Sequence, residues 1–352
     1  MKKTSKIMSL VLAGAMVLSM TACAGNTAET TSAAAKTQET AADTASKAEE
    51  TTGAEASESE TAAKAEGTTY KIGVLQLVQH TALDAANDGF IAALDDAGIA
   101  YEVDQQNASG DQSACQTVAS KFANEKKDLI LAIATPAAQA MGGAVEDTPV
   151  LITAVTDPAE SGLVDTNEKP GANVTGTSDL TPVKEQIDLL KQLVPEAKTV
   201  GVLYCSAESN SKIQADMAKE AIAAAGMESK EYTVSSSNEI QTVVQSMVGA
   251  VDAVYAPTDN VIAAGMATVG MVAGDNNLPV ICGEAGMVQN GGLATYGIDY
   301  YQLGYMTGQQ AVKILTEGAS PADMPIEYLP AEKCELTVNE ETAQTLGIDV
   351  SG

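Results

Sequence analysis

The sequence predicts an α/β fold of two similar lobes, each a doubly wound parallel sheet, joined by a multi-strand hinge. In residues 70–99, an apolar run rich in branched residues precedes apolar residues at helical spacing and a final glycine. This order indicates a strand followed by a helix. Residues 198–227 repeat it with the same 25-residue interval between their first and last glycines, which predicts two related halves. Because parallel sheets bind ligands beyond the carboxyl ends of their strands, two facing halves would form one cleft.

The other elements continue this alternation of strand and helix. In the first lobe, apolar runs predict strands over 100–104, 128–134 and 150–155, with helices beginning at Ser113 and Thr135. In the second lobe, helical spacing predicts helices over 182–193, 210–225, 239–248 and from 260 onward. Its strands are predicted over 199–204, near 232, and over 252–256, 278–281 and 293–298. An amphipathic helix over 301–316 then leads to a last strand near Ile326.

The N-terminus has the features of an export signal. Basic residues precede a short apolar run, Ile7 to Met20, and small residues lead to Cys23, which predicts a signal peptide over residues 1–22. The run is shorter than a membrane-spanning helix requires. Its end resembles the lipobox of bacterial lipoproteins, with Met20 in place of the usual Leu. This resemblance makes Cys23 the expected lipidation site, and an ordinary signal with a chance cysteine is the alternative.

Beyond the signal, composition divides the chain into a tether and a folded region. Residues 23–69 form an Ala, Thr, Glu and Ser-rich stretch that, after Cys23, contains no large apolar residue. Such a stretch cannot bury a core, so we predict a disordered acidic linker. The rest has a length that suits two lobes. We expect the first lobe over 70–177 with 299–325 and the second over 178–298 with 326–352, which gives three crossings at the hinge.

Charge and residue usage exclude several classes of partner. The net charge is −28, which argues against nucleic acid and against an anionic lipid surface. The chain contains no Arg, so hydroxyls, amides and helix N-termini must hold any anionic group. His80 is the only histidine and has no Cys, Asp or Glu at metal-ligand spacing. We therefore predict no metal, no cofactor and no catalytic residue, and we expect a monomer.

Polar residues recur in the loops that follow the predicted strands. Hydroxyls and helix N-termini suit a carboxylate, and carboxylates on the facing loops suit an ammonium, so we expect a site for an amino acid zwitterion. The candidate ligand-binding residues are His80, Leu83, Thr135, Thr156, Asp157, Glu208, Asn210, Ser211, Thr258, Asp259 and Glu284. Asp259 and Glu284 are preferred for the ammonium, because Thr258 is available to cap the next helix and Asp157 also suits an Asx turn. The candidate apolar wall consists of Tyr204, Tyr255, Tyr296, Leu83 and Met287.

Several of these loops resemble one known family. The matching pieces are Gln79-His80, Thr156-Asp157-Pro158, Asn173-Val174-Thr175-Gly176, Ala256-Pro257-Thr258-Asp259-Asn260 and Ala294-Thr295-Tyr296-Gly297. Their order resembles the substrate-binding lipoproteins of ABC importers of the tryptophan/tyrosine type, which have a type I periplasmic-binding-protein fold. The resemblance implies an aromatic amino acid as ligand, ABC permease and ATPase subunits as partners, and a place at the outer face of the cell membrane. Cys205-Ser206 departs from the family's usual Asn-Pro, which leaves the ligand's identity open.

The sequence is also compatible with other functions. The two lobes would also suit a sugar or nucleoside, although Trp and Arg, which often contact sugars, are both absent. A sensor that signals to a membrane receptor would have the same fold. An exported hydrolase using Asp157 and Glu284 is a third possibility, but the sequence contains no nucleophile with an adjacent base and no phosphate-binding glycine loop. A disulfide between Cys205 and Cys282 also stays open.

Overall fold

The computed structural model describes residues 67–351, so the predicted signal peptide, Cys23 and the linker up to residue 66 lie outside the described residues. The strands are β1 (Tyr70–Gln76), β2 (Tyr101–Asn107), β3 (Leu129–Ile133), β4 (Val150–Val155), β5 (Val174–Ser178), β6 (Thr199–Cys205), β7 (Glu228–Val234), β8 (Ala253–Ala256), β9 (Val280–Cys282), β10 (Ala294–Gly297), β11 (Glu327–Tyr328) and β12 (Glu335–Val338). The helices are α1 (Thr81–Asp96), α2 (Gln112–Glu125), α3 (Thr135–Ala144), α4 (Val183–Leu193), α5 (Ser209–Ala224), α6 (Ile240–Met247), α7 (Asn260–Ala264), α8 (Met266–Asp275), α9 (Ala285–Gln289), α10 (Tyr300–Glu317) and α11 (Glu340–Leu346). Within this described range, none of the helices is both long enough and apolar enough to span a bilayer.

Each lobe is built on one sheet, and each sheet has six strands. The first sheet has the order β11-β5-β4-β3-β1-β2, and all its pairs are parallel. The second has the order β12-β10-β9-β8-β6-β7, and only the β12 to β10 pair is antiparallel. Strands β3 and β4 are buried along their whole length, which explains their continuous apolar runs. The prediction of two doubly wound lobes is confirmed.

The internal repeat corresponds to equivalent places in the two sheets. Strand β1 lies between β3 and β2, and β6 lies between β8 and β7. The helices that follow them, α1 and α5, both end at a glycine in the left-handed region, Gly98 with φ 65° and Gly226 with φ 76°. A residue with a side chain is strained in that conformation. The equal glycine spacing in the two copies of the repeat therefore reflects the same strand, helix and C-terminal turn in each lobe.

Three connections join the lobes, but the last one lies later than expected. Residues Glu327 and Tyr328 pair with Thr177 and Ser178 in the first sheet. The predicted return to the second lobe at residue 326 is therefore wrong, and the chain crosses after Tyr328. Strand β12 and helix α11, which the sequence pattern did not predict, then complete the second lobe. The sequence pattern does not indicate β12 because this short edge strand has no apolar run and its first two residues are exposed.

Helix α10 returns from the second lobe and packs closely on α1. A Cβ atom added at Gly308 would lie 2.7 Å from the carbonyl oxygen of Phe90, and one added at Gly304 would lie 2.6 Å from the carbonyl carbon of Ala86. These separations are shorter than van der Waals contact, so the two helix backbones touch at both glycines. This contact fixes the start of α10, Tyr300, beside the hinge.

Candidate ligand-binding cleft

The carboxyl ends of the two sheets face each other, and side chains from the two lobes are in contact there. Four hydrogen bonds join residues of the first lobe to residues of the second. They are His80 Nε2 to Asn260 Oδ1 (3.2 Å), Gln112 Nε2 to the Ala207 carbonyl (2.9 Å), Gln139 Nε2 to Ser209 Oγ (3.3 Å) and Gln214 Nε2 to Thr156 Oγ1 (3.0 Å). The lobes are therefore closed on each other.

A narrow cavity lies between the closed lobes. Its free volume is about 10 Å³, close to what one water molecule needs. It is lined by His80, Leu83, Ala154, Asp179, Thr258, Asp259, Asn260, Ala263, Glu284 and Tyr300. Five of these were predicted from the sequence, namely His80, Leu83, Thr258, Asp259 and Glu284. An amino acid can occupy this cavity only if the lobes separate.

Asp179 is the cavity carboxyl group with a free oxygen. It directly follows β5, where the chain first leaves the first lobe, and it is 4% exposed. The Tyr300 hydroxyl donates to its Oδ2 atom (2.8 Å), whereas Oδ1 is buried without a hydrogen-bond partner in residues 67–351. Burial raises the pKa of Asp179 to about 6, against the lowering effects of the Tyr300 and Thr156 hydroxyls. Sequence reasoning did not include this residue in the site.

Glu284 lies beside Asp179 but also serves its own helix. Its carboxylate accepts hydrogen bonds from the backbone N–H groups of Gly286 and of Met287 (2.8 Å from the latter), so it caps α9. Burial raises the pKa of Glu284 to about 7, and the charge of Asp179 adds to this effect. The carboxylate thus faces the cavity while its oxygens remain partly satisfied.

Asp259 has a structural role that the sequence did not reveal. Its Oδ1 accepts from the N–H of Ile262 (2.8 Å) and its Oδ2 from the N–H of Cys205 (2.6 Å). Asp259, and not Thr258, is therefore the N-cap of α7, and that part of the expectation is wrong. Burial raises the pKa of the Asp259 carboxyl. Asp259 lines the cavity, but both of its oxygens already have backbone partners.

Glu208 lies behind the cavity and holds the start of α7. It accepts hydrogen bonds from Asn260 Nδ2 (2.6 Å), from the N–H groups of Asn260 (3.3 Å) and Val261 (3.2 Å), and from Asn210 Nδ2 (3.1 Å). Burial raises its pKa, and the charge of Asp259 adds to this. Asn210 also donates to Ser211 Oγ (3.2 Å). These three predicted residues do not line the cavity; they support the residues that do.

Two of the three predicted threonines, Thr156 and Thr258, share a hydrogen-bond partner across the interlobe boundary. Gln214 of α5 donates through Nε2 to the hydroxyl oxygens of both Thr156 and Thr258, which belong to opposite lobes. Thr135 does not cap α3, because Ala134 occupies the N-cap position with φ 82°. The Thr135 hydroxyl is buried and has no hydrogen-bond partner in the described residues. The capping alternative for Thr135 is therefore wrong.

Asp157 does not line the cavity and instead accepts hydrogen bonds from a neighbouring loop. Its Oδ1 accepts from the N–H groups of Ala159 and Glu160 (3.1 Å each) and from Asn167 Nδ2 (3.0 Å), which is an Asx turn. It does not line the cavity that Glu284 lines. The ligand role predicted for Asp157, and the hydrolase alternative that paired it with Glu284, are not supported by this geometry.

The predicted apolar wall belongs mostly to the second lobe's interior. Tyr255 donates to Gln186 in the core, Tyr204 donates to Glu231, and Met287 is fully buried in a core cluster. Of the five predicted wall residues, only Leu83 lines the cavity.

The four cysteines in the described range are free thiols, so Cys205 and Cys282 are not bonded to each other. Residues 67–351 contain no cluster of three potential metal ligands.

Comparison with known proteins identifies the family. The model of the family described as ABC transporter substrate binding protein matches residues 71–352. The chain belongs to this family. Such proteins act outside the cytoplasm, where they bind the solute that an ABC transporter carries. A curated relative, the tyrosine-binding protein of Clostridioides difficile, is 41% identical over 98% of this chain and 93% of its own length.

Two solved structures show how this one relates to open and ligand-bound forms. The ABC domain of Streptococcus pneumonia in complex with L-Trp has a TM-score of 0.78 at 40% identity, over 80% of this chain and 96% of its own. A ligand-free, open substrate-binding protein from Clostridium difficile has a TM-score of 0.61 at 47% identity over the same shares. Although the open protein has the more similar sequence, the present structure superposes better on the L-Trp complex, which agrees with its closed lobes.

Proposed function

We propose that this protein binds an aromatic amino acid between its lobes and delivers it to the membrane subunits of an ABC importer. One observation carries the proposal: Asp179 presents a buried, unpartnered carboxylate oxygen to an interlobe cavity. None of the cavity residues in the described range is Lys, and the chain has no Arg. A buried carboxylate without a positive partner is costly. The α-ammonium of a ligand would supply that partner.

The two ends of an amino acid backbone would meet different groups. Asp179 would accept from the ammonium, and Glu284 would add a second negative charge beside it. The carboxylate would take hydroxyl donors, since Thr258 lines the cavity and the hydroxyl groups of Thr135 and Thr156 are buried at the ends of β3 and β4. The C. difficile relative is named for tyrosine, and the S. pneumonia domain holds L-Trp, which supports an aromatic ligand.

The N-terminal features supply the cellular context of the proposal. After removal of residues 1–22, lipidated Cys23 would anchor the chain at the outer face of the cell membrane. The linker that follows would let a monomeric binding domain move between the membrane surface and the permease. The ligand would drive closure because it contacts both lobes at once. No catalytic step is part of this cycle.

The proposal is tested by calorimetric titration of the purified protein after unfolding and refolding to remove any carried ligand. The panel is L-tyrosine, L-tryptophan, L-phenylalanine, L-leucine, a nucleoside and a hexose. We expect an aromatic amino acid to bind with a dissociation constant on the order of micromolar or tighter. Binding of only the nucleoside or the hexose would replace the amino acid proposal with the corresponding rival ligand.

A further inference from the structure

His80 lines this cavity, and one of its ring nitrogens has no hydrogen-bond partner among the described residues. The residue as a whole is partly exposed, but its Nδ1 atom is buried and has no hydrogen-bond partner within residues 67–351. The other ring nitrogen, Nε2, lies 3.2 Å from Asn260 Oδ1 across the interlobe boundary. An unpaired buried polar atom in a binding cavity points to a group on the ligand.

The contacts behind His80 decide which nitrogen carries the proton. Glu208 is surrounded by N–H donors, so its carboxylate accepts, and the nitrogen of the Asn260 side chain must point toward it (2.6 Å). The oxygen of the same amide then faces His80, which requires a proton on Nε2. Burial lowers the pKa of His80, so the ring is neutral. Its Nδ1 is consequently a hydrogen-bond acceptor.

The sheet order separates this acceptor from the proposed ammonium site. Asp179 follows β5 and His80 follows β1, and β4 and β3 lie between these strands. The axes of β5 and β1 are thus three strand spacings apart, or about 14 Å. Leu83 and Ala263 line the cavity with His80, so apolar contacts are available at this end. A ligand whose ammonium is at Asp179 would therefore extend its side chain toward His80.

We propose that His80 Nδ1 is a specificity-determining acceptor for a hydrogen-bond donor at the tip of the ligand side chain, a phenol O–H or an indole N–H. The chain of contacts from Glu208 through Asn260 holds it in the accepting tautomer. This inference rests on the proposed function and narrows it: L-tyrosine and L-tryptophan should bind more tightly than L-phenylalanine, which leaves the buried Nδ1 unpaired. From the cost of an unpaired buried acceptor, we expect a preference of roughly tenfold or more.

The test compares the three aromatic amino acids by calorimetry in wild type, in His80→Phe and in His80→Gln. His80→Phe keeps a ring but removes the acceptor. We expect it to weaken L-tyrosine and L-tryptophan and to reduce their preference over L-phenylalanine to within about threefold. His80→Gln supplies both a donor toward Asn260 and an acceptor, so it should recover part of the preference. Gln79→Ala, in the same loop but exposed, is the matched control and should keep the wild-type preference.

Each outcome separates this inference from the proposed function. Wild-type protein that binds all three amino acids equally well would overturn the role of His80 but leave amino acid binding intact. An equal loss for all three ligands in His80→Phe, with the preference retained, would also overturn it, because it would show a packing role only. Binding of none of them by refolded wild type would instead remove the proposed function. A denaturant midpoint for each variant confirms that it is folded.

Discussion

Replacement of Asp179 by Asn is expected to weaken amino acid binding while it stabilises the ligand-free protein. The variant keeps the size of the side chain and an oxygen for the Tyr300 hydroxyl, which donates from 2.8 Å. It removes the negative charge that would pair with the ligand ammonium. Loss of one partner of a buried charge pair costs roughly 2–5 kcal/mol, and about 1.4 kcal/mol corresponds to tenfold. We therefore expect the dissociation constant to rise at least about 30-fold.

The stability change has the opposite sign for a definite reason. Burial raises the pKa of Asp179 to about 6, roughly two units above that of an exposed Asp, and each unit corresponds to about 1.4 kcal/mol. The charged form therefore costs the ligand-free protein up to about 3 kcal/mol at pH 7.5, a cost that Asn avoids. Calorimetric titration with L-tyrosine and urea unfolding without ligand measure the two effects. An affinity within threefold of wild type, or weaker binding together with lower stability, would refute the reasoning.

Three further predictions concern pH, packing and a control site. The pKa values of about 6 for Asp179 and about 7 for Glu284 lie above the values near 4 in the unfolded chain. The stability that the two protonated groups contribute is therefore complete below pH 4 and is lost as the pH rises through 6 to 7. The urea midpoint of the ligand-free protein should thus decrease as the pH is raised from 5 to 7.5, and it should decrease less in the double variant Asp179→Asn/Glu284→Gln. An equal decrease in wild type and the double variant would contradict the assignment of this pH dependence to the two carboxyl groups. Gly304→Ala should destabilise the protein by about 1–3 kcal/mol through overpacking, whereas Gly143→Ala, where an added Cβ meets nothing within 4 Å, should be neutral or slightly stabilising in the same urea assay. Asp157→Asn should leave L-tyrosine affinity within twofold of wild type by calorimetry, and a tenfold loss would return that residue to the site.

The architecture was predictable because the signals for it are local. Buried parallel strands such as Leu129–Ile133 are continuous apolar runs, and the helix-ending glycines Gly98 and Gly226 mark both copies of the repeat. The order of elements then implies sheets whose loops converge. By contrast, strand β12 has exposed residues and an antiparallel edge position, and neither property leaves a clear local pattern.

The site was only partly predictable because its chemistry depends on distant contacts. The environment of Asp179 depends on Tyr300, which donates a hydrogen bond to it from 121 residues later in the chain. The sequence next to Asp179 suggests only a connection between the lobes. Asp259 was expected to face the ligand, but its oxygens accept N–H groups of Cys205 and Ile262. A carboxylate at a strand end can cap a helix or meet a ligand, and only the folded arrangement distinguishes the two.

The central claim, that the cavity recognises an α-ammonium group through Asp179, is tested most directly in wild-type protein with two ligands. L-Tyrosine and 3-(4-hydroxyphenyl)propanoate share the ring, the hydroxyl and the carboxylate, and they differ in the ammonium group. In calorimetric titrations at pH 7.5, we expect L-tyrosine to bind and the propanoate to bind at least roughly 100-fold more weakly. Comparable affinities for the two ligands would contradict the claim and show that the buried carboxyl groups do not contribute to recognition.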